Sequence, residues 1–232
     1  GCHSNMNLGP YELNTIVTGD ARELSEVIPD ESVNLIFCDP IYQNIEDYRW
    51  LAKIAARVLK PGGNLIAQSG SVWRYECEAA MRDSNLEPMP LLAEVFPFAH
   101  SPVYKYKVNM RWKPYLWFSK GNRIGDWVFT AHIGNRGMGR QNNGRPVSKI
   151  YFEWGDSESC YIEYIHAFTN PNDIIVDFFC GGGTTCVVAK ALGLNYWACE
   201  IDPETANKAR LRVEMTQPPL FIMQPEQAEL GI

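Results

Sequence analysis

The sequence lacks what several protein classes require. It has no run of about 18 consecutive apolar residues, so no segment reads as a membrane-spanning helix. The first ten residues are polar and carry no signal-peptide core. The seven cysteines include no C-x-x-C pair, and the four histidines (3, 100, 132 and 166) are isolated, so no metal-ligand cluster is legible. An odd, scattered set of thiols, partly within apolar strands, fits a reduced chain with buried cysteines better than a disulfide framework. No internal repeat is visible.

Acidic residues are also nearly missing from one stretch. Between Val103 and Lys149 there are ten basic residues and a single acid, Asp126, a local charge of +9. The whole chain is at −6, so the remainder stands at −15. This split reads as an acidic body carrying a basic face suited to nucleic acid. With 232 residues, 46% of them hydrophobic, the chain can bury one sizeable core.

What is present reads as alternating strands and helices. β-Branched or continuously apolar runs predict strands at 15–18, 32–38, 64–68, 174–178 and 196–200. Helical periodicity predicts helices at 21–27, 46–59, 72–83, 157–169, 184–192 and 203–215. Pro61-Gly62-Gly63 stops the second helix. Residues 91–98 and 113–119 read as an antiparallel pair. Residues 121–149 show no clear period and read as an inserted loop with a few short elements. The expected fold is a doubly wound, Rossmann-like α/β sheet, mostly parallel with one antiparallel strand. In such sheets ligands bind beyond the carboxyl ends of the strands. Three strands end in polar turns, at Gly19-Asp20, at Asp39-Pro40-Ile41-Tyr42 and at the glycine loop from Gly181.

The segment from Asp177 to Thr185 (DFFCGGGTT) is a strand, a glycine loop and a helix start. Glycines allow close backbone approach, and the helix N-terminus offers free N–H groups to an anionic group. Glu200 closes the next strand about 20 residues on, where an acid can take ribose hydroxyls. A dinucleotide fingerprint, G-x-G-x-x-G, fits less well, because Cys186 stands at the third glycine. It also gives no role to Asp177 or to residues 39–42.

Asp39-Pro40-Ile41-Tyr42 suits chemistry on an exocyclic base amine. Such an amine is a poor nucleophile, since its lone pair is delocalised into the ring. Two acceptors that each take one N–H free that pair; the Asp39 carboxylate and the Pro40 carbonyl can serve, with Tyr42 stacked on the base. The base must leave the duplex to reach them. An ordinary Asp-Pro turn is the structural alternative, and its weight falls once the glycine loop and the basic insert are considered together.

These segments resemble the DNA amino-methyltransferase family, whose tetrapeptide is D/N/S-P-P-Y/F/W and whose cofactor loop is similar to D-x-F-x-G-x-G-T-T. The order of tetrapeptide, basic insert and cofactor loop resembles the circularly permuted β class, and the likeness runs from about Thr15 to Phe221. It implies transfer of a methyl group from S-adenosylmethionine to adenine N6 or cytosine N4 in double-stranded DNA. Asp at position 39 favours adenine, as Ser is commoner in the cytosine enzymes. It further implies that Asp39, Pro40 and Tyr42 are catalytic. The cofactor would lie against Asp20, Asp177, Phe179, Cys180, Gly181, Gly182, Gly183, Thr184, Thr185 and Glu200. The implied organisation is a catalytic half at 11–120, a target-recognition insert at 121–150, a cofactor-binding half of the same domain at 151–221 and a tail at 222–232. Two departures stand out. Ile41 replaces the second proline, and the places of a usual Lys-Pro pair hold Asp156 and Ser157.

In the insert, Lys120, Arg123, Arg136, Arg140, Asn142, Asn143, Arg145 and Lys149 are the expected nucleic-acid contacts. Tyr115, Leu116 and Phe118 alternate like core strand residues, and Trp117 is assigned to packing with them. His132 reads as loop surface. So small a recognition region suggests a short target or a second subunit, as in a homodimer. The expected compartment is the cytoplasm of a bacterial or phage-infected cell. RNA as the substrate, or a non-catalytic binding subunit with this fold, are the competing readings.

Overall fold

A computed structural model describes residues 7–97, 99–134 and 158–217. The chain opens with two short strands, β1 (Asn7–Leu8) and β2 (Tyr11–Glu12), then β3 (Thr15–Thr18) and α1 (Ala21–Leu24), which runs into a 3-10 turn. Then come β4 (Val33–Cys38), α2 (Ile45–Val58), β5 (Leu59–Gln68), α3 (Arg74–Met81), β6 (Glu87–Pro88) and β7 (Leu92–Val95). A hairpin follows, β8 (Ser101–Val103) and β9 (Val108–Met110), and leads into β10 (Trp112–Ser119) and β11 (Ala131–Ile133). The remainder is α4 (Ser159–Ala167), β12 (Ile174–Asp177), α5 (Thr184–Ala191), β13 (Asn195–Glu200) and α6 (Pro203–Met215).

The main sheet runs β11-β7-β10-β5-β4-β12-β13-β3, with β6 also on β10. Among the described residues β10 alone runs against the other strands, pairing antiparallel with β5, β6 and β7. The expected doubly wound sheet with one antiparallel strand is therefore the observed one.

Side-chain alternation sorts the core onto two faces. Leu35, Phe37, Ile66, Tyr115, Ile175 and Ala198 point to the side covered by α4, α5 and α6. Ile36, Cys38, Leu65, Leu116, Phe118, Val176 and Trp197 point to the side covered by α2 and α3. Helix α2 shows why the periodicity was readable. Tyr48, Leu51, Ala52, Ala55 and Val58 are buried on one stripe, Glu46 and Asp47 occupy the positive end and Arg57 the negative end.

Several expectations need amending. β5 begins at Leu59, directly after α2, and takes Pro61-Gly62-Gly63 into the strand. The pairing irregularity between Val33 and Leu35 of β4 accommodates these residues. The β8–β9 hairpin went unseen, because its exposed residues carry no apolar alternation. β11 lies inside the presumed insert, yet it joins the sheet edge beside β7. His132 on β11 is buried rather than loop surface, with its ring nitrogens at Glu163 and, at 3.0 Å, at Ser159 Oγ. The six described cysteines are free and buried. Among the described residues no helix is long and apolar enough to cross a membrane.

Candidate active site

Strands β4, β12, β13 and β3 are consecutive in the sheet and parallel, so their carboxyl ends share one edge. That edge brings together Asp39, the glycine loop, Glu200 and Gly19-Asp20. The reversed strand β10 starts on the same edge: Tyr115 sits opposite Gln68, so Lys113 lies beyond it on the rim. Alternation then fixes the direction of each side chain. Asp39 follows Phe37 by two residues, Gln68 follows Ile66, Asp177 follows Ile175, and Lys113 precedes Tyr115. All four polar groups thus share the face covered by α4. Tyr161 of α4 packs on Phe37, ring centroids 4.8 Å apart, and both Asp39 and Asp177 raise its pKa beyond what burial does.

Asp39 stands exposed on the rim, but surrounding protein pushes its carboxyl above the usual range, while Lys113 and the Tyr42 hydroxyl pull it back down. The Tyr42 hydroxyl accepts an N–H from Gln68 Nε2 at 2.6 Å. Its ring leans on Gly70, where an added Cβ would sit 2.8 Å from ring carbon Cδ2. The Pro40 carbonyl is the other acceptor expected from the sequence. Tyr48 Oη is 3.4 Å from it but 2.7 Å from the Gln68 carbonyl, so the one hydroxyl proton goes to Gln68. The Pro40 oxygen keeps its capacity. Ile41 is 70% exposed and takes no part in this arrangement.

The glycine loop is built around Asp177, which is buried. Asp177 Oδ1 accepts the Phe179 N–H at 3.0 Å, and Thr185 bonds its carboxylate from the first turn of α5. Burial outweighs these bonds and pushes its pKa up to about 6, with the charge of Asp39 adding to the rise. Gly181 and Gly183 adopt φ of +46° and +80°, conformations that L side chains rarely take. A Cβ at Gly183 would also lie 3.0 Å from Ala209 Cβ of α6, whereas one at Gly181 would meet nothing within 4 Å. Gly181 is therefore an open ledge and Gly183 a packing contact. Gly182 is exposed and Cys180 buried. Arg212 ties the loop to α6 through the Gly182 carbonyl at 2.9 Å and Thr184 Oγ1 at 3.1 Å.

Glu200 straps the loop. Its two oxygens accept N–H groups from Gly181 and Asp202, each at 3.0 Å, leaving one lone pair per oxygen for a ligand. Asp20 caps α1 through the Arg22 N–H at 2.8 Å. Between Asp20 and the loop stands Trp50 of α2, edge-on to Phe178 and Phe179, with the Arg22 guanidinium 5.2 Å above its ring. Sequence reasoning missed Trp50, Gln68, Gly70, Lys113 and Tyr161. Each reaches the site from an element without a motif, and only the spatial alternation at the strand ends reveals them.

Two of the expected nucleic-acid contacts lie away from this rim and are engaged with the protein itself. Lys120 lies at the other end of β10, where its ammonium bonds the Leu59 carbonyl at 2.8 Å and pairs with Glu31 at 3.2 Å. Arg123 stacks its guanidinium on Trp117 and Phe168, 5.8 and 5.3 Å from the ring centroids. Both serve the sheet edge opposite the site, because long cationic side chains readily satisfy carbonyls and cover apolar surface there. Trp117 packs as expected, its indole N–H on Asn64 Oδ1 at 2.9 Å. Arg136, Arg140, Asn142, Asn143, Arg145 and Lys149, like Asp156 and Ser157, lie outside the described residues.

A mostly parallel doubly wound sheet with a glycine loop and an acidic strand end side by side has the Rossmann-like methyltransferase fold. The pattern of the N6/N4 DNA methylase family matches residues 33–210, and the chain belongs to that family of DNA amino-methyltransferases. It is similar to the type II methyltransferase M.HinfI of Haemophilus influenzae, at 24% identity over 89% of this chain and 70% of that protein. It is also similar to the type II methyltransferase M.BglII of Bacillus subtilis, at 25% identity over 87% and 69%. Among solved structures, the M1.HpyAVI–SAM complex superposes with a TM-score of 0.66 at 20% identity, covering 87% of this chain and 99% of that one. The cytosine-N4-specific PvuII DNA methyltransferase superposes with a TM-score of 0.67 at 20% identity, over 85% of each chain.

Proposed function

We propose that this chain transfers a methyl group from S-adenosylmethionine to the exocyclic amine of a base flipped out of double-stranded DNA, with adenine N6 as the acceptor. The observation that carries the reading is the pair of hydrogen-bond acceptors, Asp39 carboxylate and Pro40 carbonyl, at the end of the strand next to the glycine loop.

The residues present fit the cofactor. Gly181 is an open ledge, and the carboxylates of Asp20 and Glu200 stand on the same edge, suited to the nucleoside end. Phe179 to Thr185 would line the methionine end, with Asp177 holding that loop in shape. When bound, S-adenosylmethionine supplies an electrophilic methyl group on a sulfonium. Asp39 and Pro40 accept the two amine N–H bonds and draw the nitrogen lone pair out of the ring, so catalysis is mainly positioning. Tyr42, leaning on Gly70, offers its ring to the base. After transfer the surplus amine proton passes to Asp39 or to water. Adenine is preferred over cytosine because Asp holds the first tetrapeptide place.

The DNA would approach over the same rim. β7 ends and β10 begins there, so the hairpin between them stands at the site edge. Tyr104 and Tyr106 are exposed at its turn and alternate with Lys105 and Lys107, a composition suited to phosphates and bases. Incubation with labelled S-adenosylmethionine and either DNA or RNA, followed by nucleoside analysis, tests the reading. N6-methyladenine in DNA is expected. Label only in N4-methylcytosine would overturn the choice of base, label only in RNA the choice of polymer, and label in neither the enzymatic reading.

A further inference from the structure

Asp39 must present a carboxylate in a fixed orientation just as the incoming base strips water from it. Its surroundings are mostly unhelpful. Tyr48 faces it from α2, Tyr161 from α4 and Asp177 from β12, and none of these brings positive charge. Lys113 on β10 is the cation acting on it, and the Tyr42 hydroxyl is the hydrogen-bond donor beside it.

That hydroxyl does not act alone. Gln68 is almost fully buried at the end of β5, and its amide is bound on the other side by the Tyr42 oxygen at 2.6 Å. An amide NH2 can only donate, so the Tyr42 oxygen is the acceptor in this bond. The phenol has one proton of its own, and Asp39, set beside Gln68 by the Cys38–Ala67 pair of neighbouring strands, is the carboxylate next to it. The backbone of Gln68 is fixed as well, since its carbonyl takes the Tyr48 hydroxyl at 2.7 Å and its strand pairs with Tyr115. Gly70 two residues on leaves room for the ring to lie where the bond requires. A phenol that accepts from the amide keeps its own proton free to be donated onward to the carboxylate.

We propose that Gln68 is a positioning residue for the reaction: by donating to the Tyr42 oxygen it commits the phenol proton to Asp39, and so holds that carboxylate ionised and oriented for the base amine. The inference rests on the methyl-transfer reading for its purpose; the Gln68–Tyr42 bond stands on its 2.6 Å contact, and Asp39 lies beside Gln68 because Cys38 pairs with Ala67 on the neighbouring strand. It gives Tyr42 a second role besides its ring, one that a phenylalanine at this position could not fill.

A double-mutant cycle tests it, with Gln68→Met, Tyr42→Phe and the two combined, each checked for an unchanged thermal unfolding profile. Both single variants are expected to lower kcat by about tenfold or more, the range for losing a hydrogen bond to a charged group. Cofactor affinity should hold in both. The combined variant should be no slower than Tyr42→Phe alone, because Gln68 acts through the hydroxyl that change removes. Independent, multiplicative losses would overturn the inference, as would wild-type rates in Gln68→Met. A second readout needs no activity: the titration of the Asp39 carboxyl by carbon-13 NMR, assigned with Asp39→Asn. Both single changes should move it to higher pH by the same amount, and the double change no further. An Asp39 titration indifferent to Gln68 would sink the proposal even in an active enzyme. An inactive wild type with the expected titration cycle would sink the methyl-transfer reading and leave the chain of bonds standing.

Discussion

Asp39 and Asp177 end neighbouring parallel strands and face the same side of the sheet, yet the protein uses them differently. Asp177 is buried and consumed by its own loop: the Phe179 N–H and Thr185 occupy it, and it shapes the turn that α5 grows from. Asp39 is exposed on the rim, and its support comes from neighbours, Tyr42, Gln68 and Lys113, that leave acceptor capacity free. Two identical side chains one strand apart thus divide into a structural group and an available one. Burial, not residue type, makes the division.

The sharpest way to break this contrast is Asp39→Ala. It should abolish methyl transfer, by on the order of a thousandfold or more, since one of two acceptors and its orientation are lost together. Cofactor binding, measured by calorimetry, should survive; loss of both would mean that Asp39 also builds the pocket. Gly183→Ala is the next largest. The added Cβ meets Ala209 and a φ of +80°, so it should cost about 1–3 kcal/mol of stability and weaken cofactor binding. An unchanged denaturant midpoint would show the loop to be more pliable than the packing indicates.

Protonation sharpens the contrast further. The folded-state pKa of Asp177 is raised, so its contribution to stability is largest below the ordinary carboxylate value and is lost as pH rises toward about 6. Relative to Asp177→Asn, the wild type should therefore gain on the order of 1 kcal/mol between pH 7 and pH 5, read from denaturant unfolding at each pH. A difference that is flat with pH would mean Asp177 is not desolvated. For Asp39 the cation matters instead. Lys113→Met removes a charge that pulls its pKa down, so the acid limb of kcat should move to higher pH, while Lys113→Arg should hold it. The smallest expected effect belongs to Ile41→Pro. The side chain is exposed, and restoring the family's proline should leave kcat within about threefold.

The sequence exposed the parts that rest on periodicity and motif. β4 and α2 were legible because one is continuously apolar and the other keeps a 3.6-residue stripe from Tyr48 to Val58. Asp39 and the glycine loop were legible because turn chemistry concentrates there. Gln68 and Lys113 were not, since they are ordinary residues at strand ends whose partners lie 26 and 74 positions away in the chain. The hairpin was hidden for a related reason: its tyrosines and lysines face outward, and nothing in their order distinguishes a projecting finger from a loop.

The lone reversed strand has one more consequence. β10 begins at the working edge with Lys113 and hands over to Lys120 at the opposite one. Seven residues of extended chain set their two backbone positions about 24 Å apart. Counting charge along the sequence merges them into one basic block, but the fold deals them to opposite poles, one to the rim that carries Asp39 and one to the far end of the sheet. Two lysines seven positions apart thus meet different surroundings: the first acts on the Asp39 carboxyl, and the second holds the Leu59 carbonyl and Glu31.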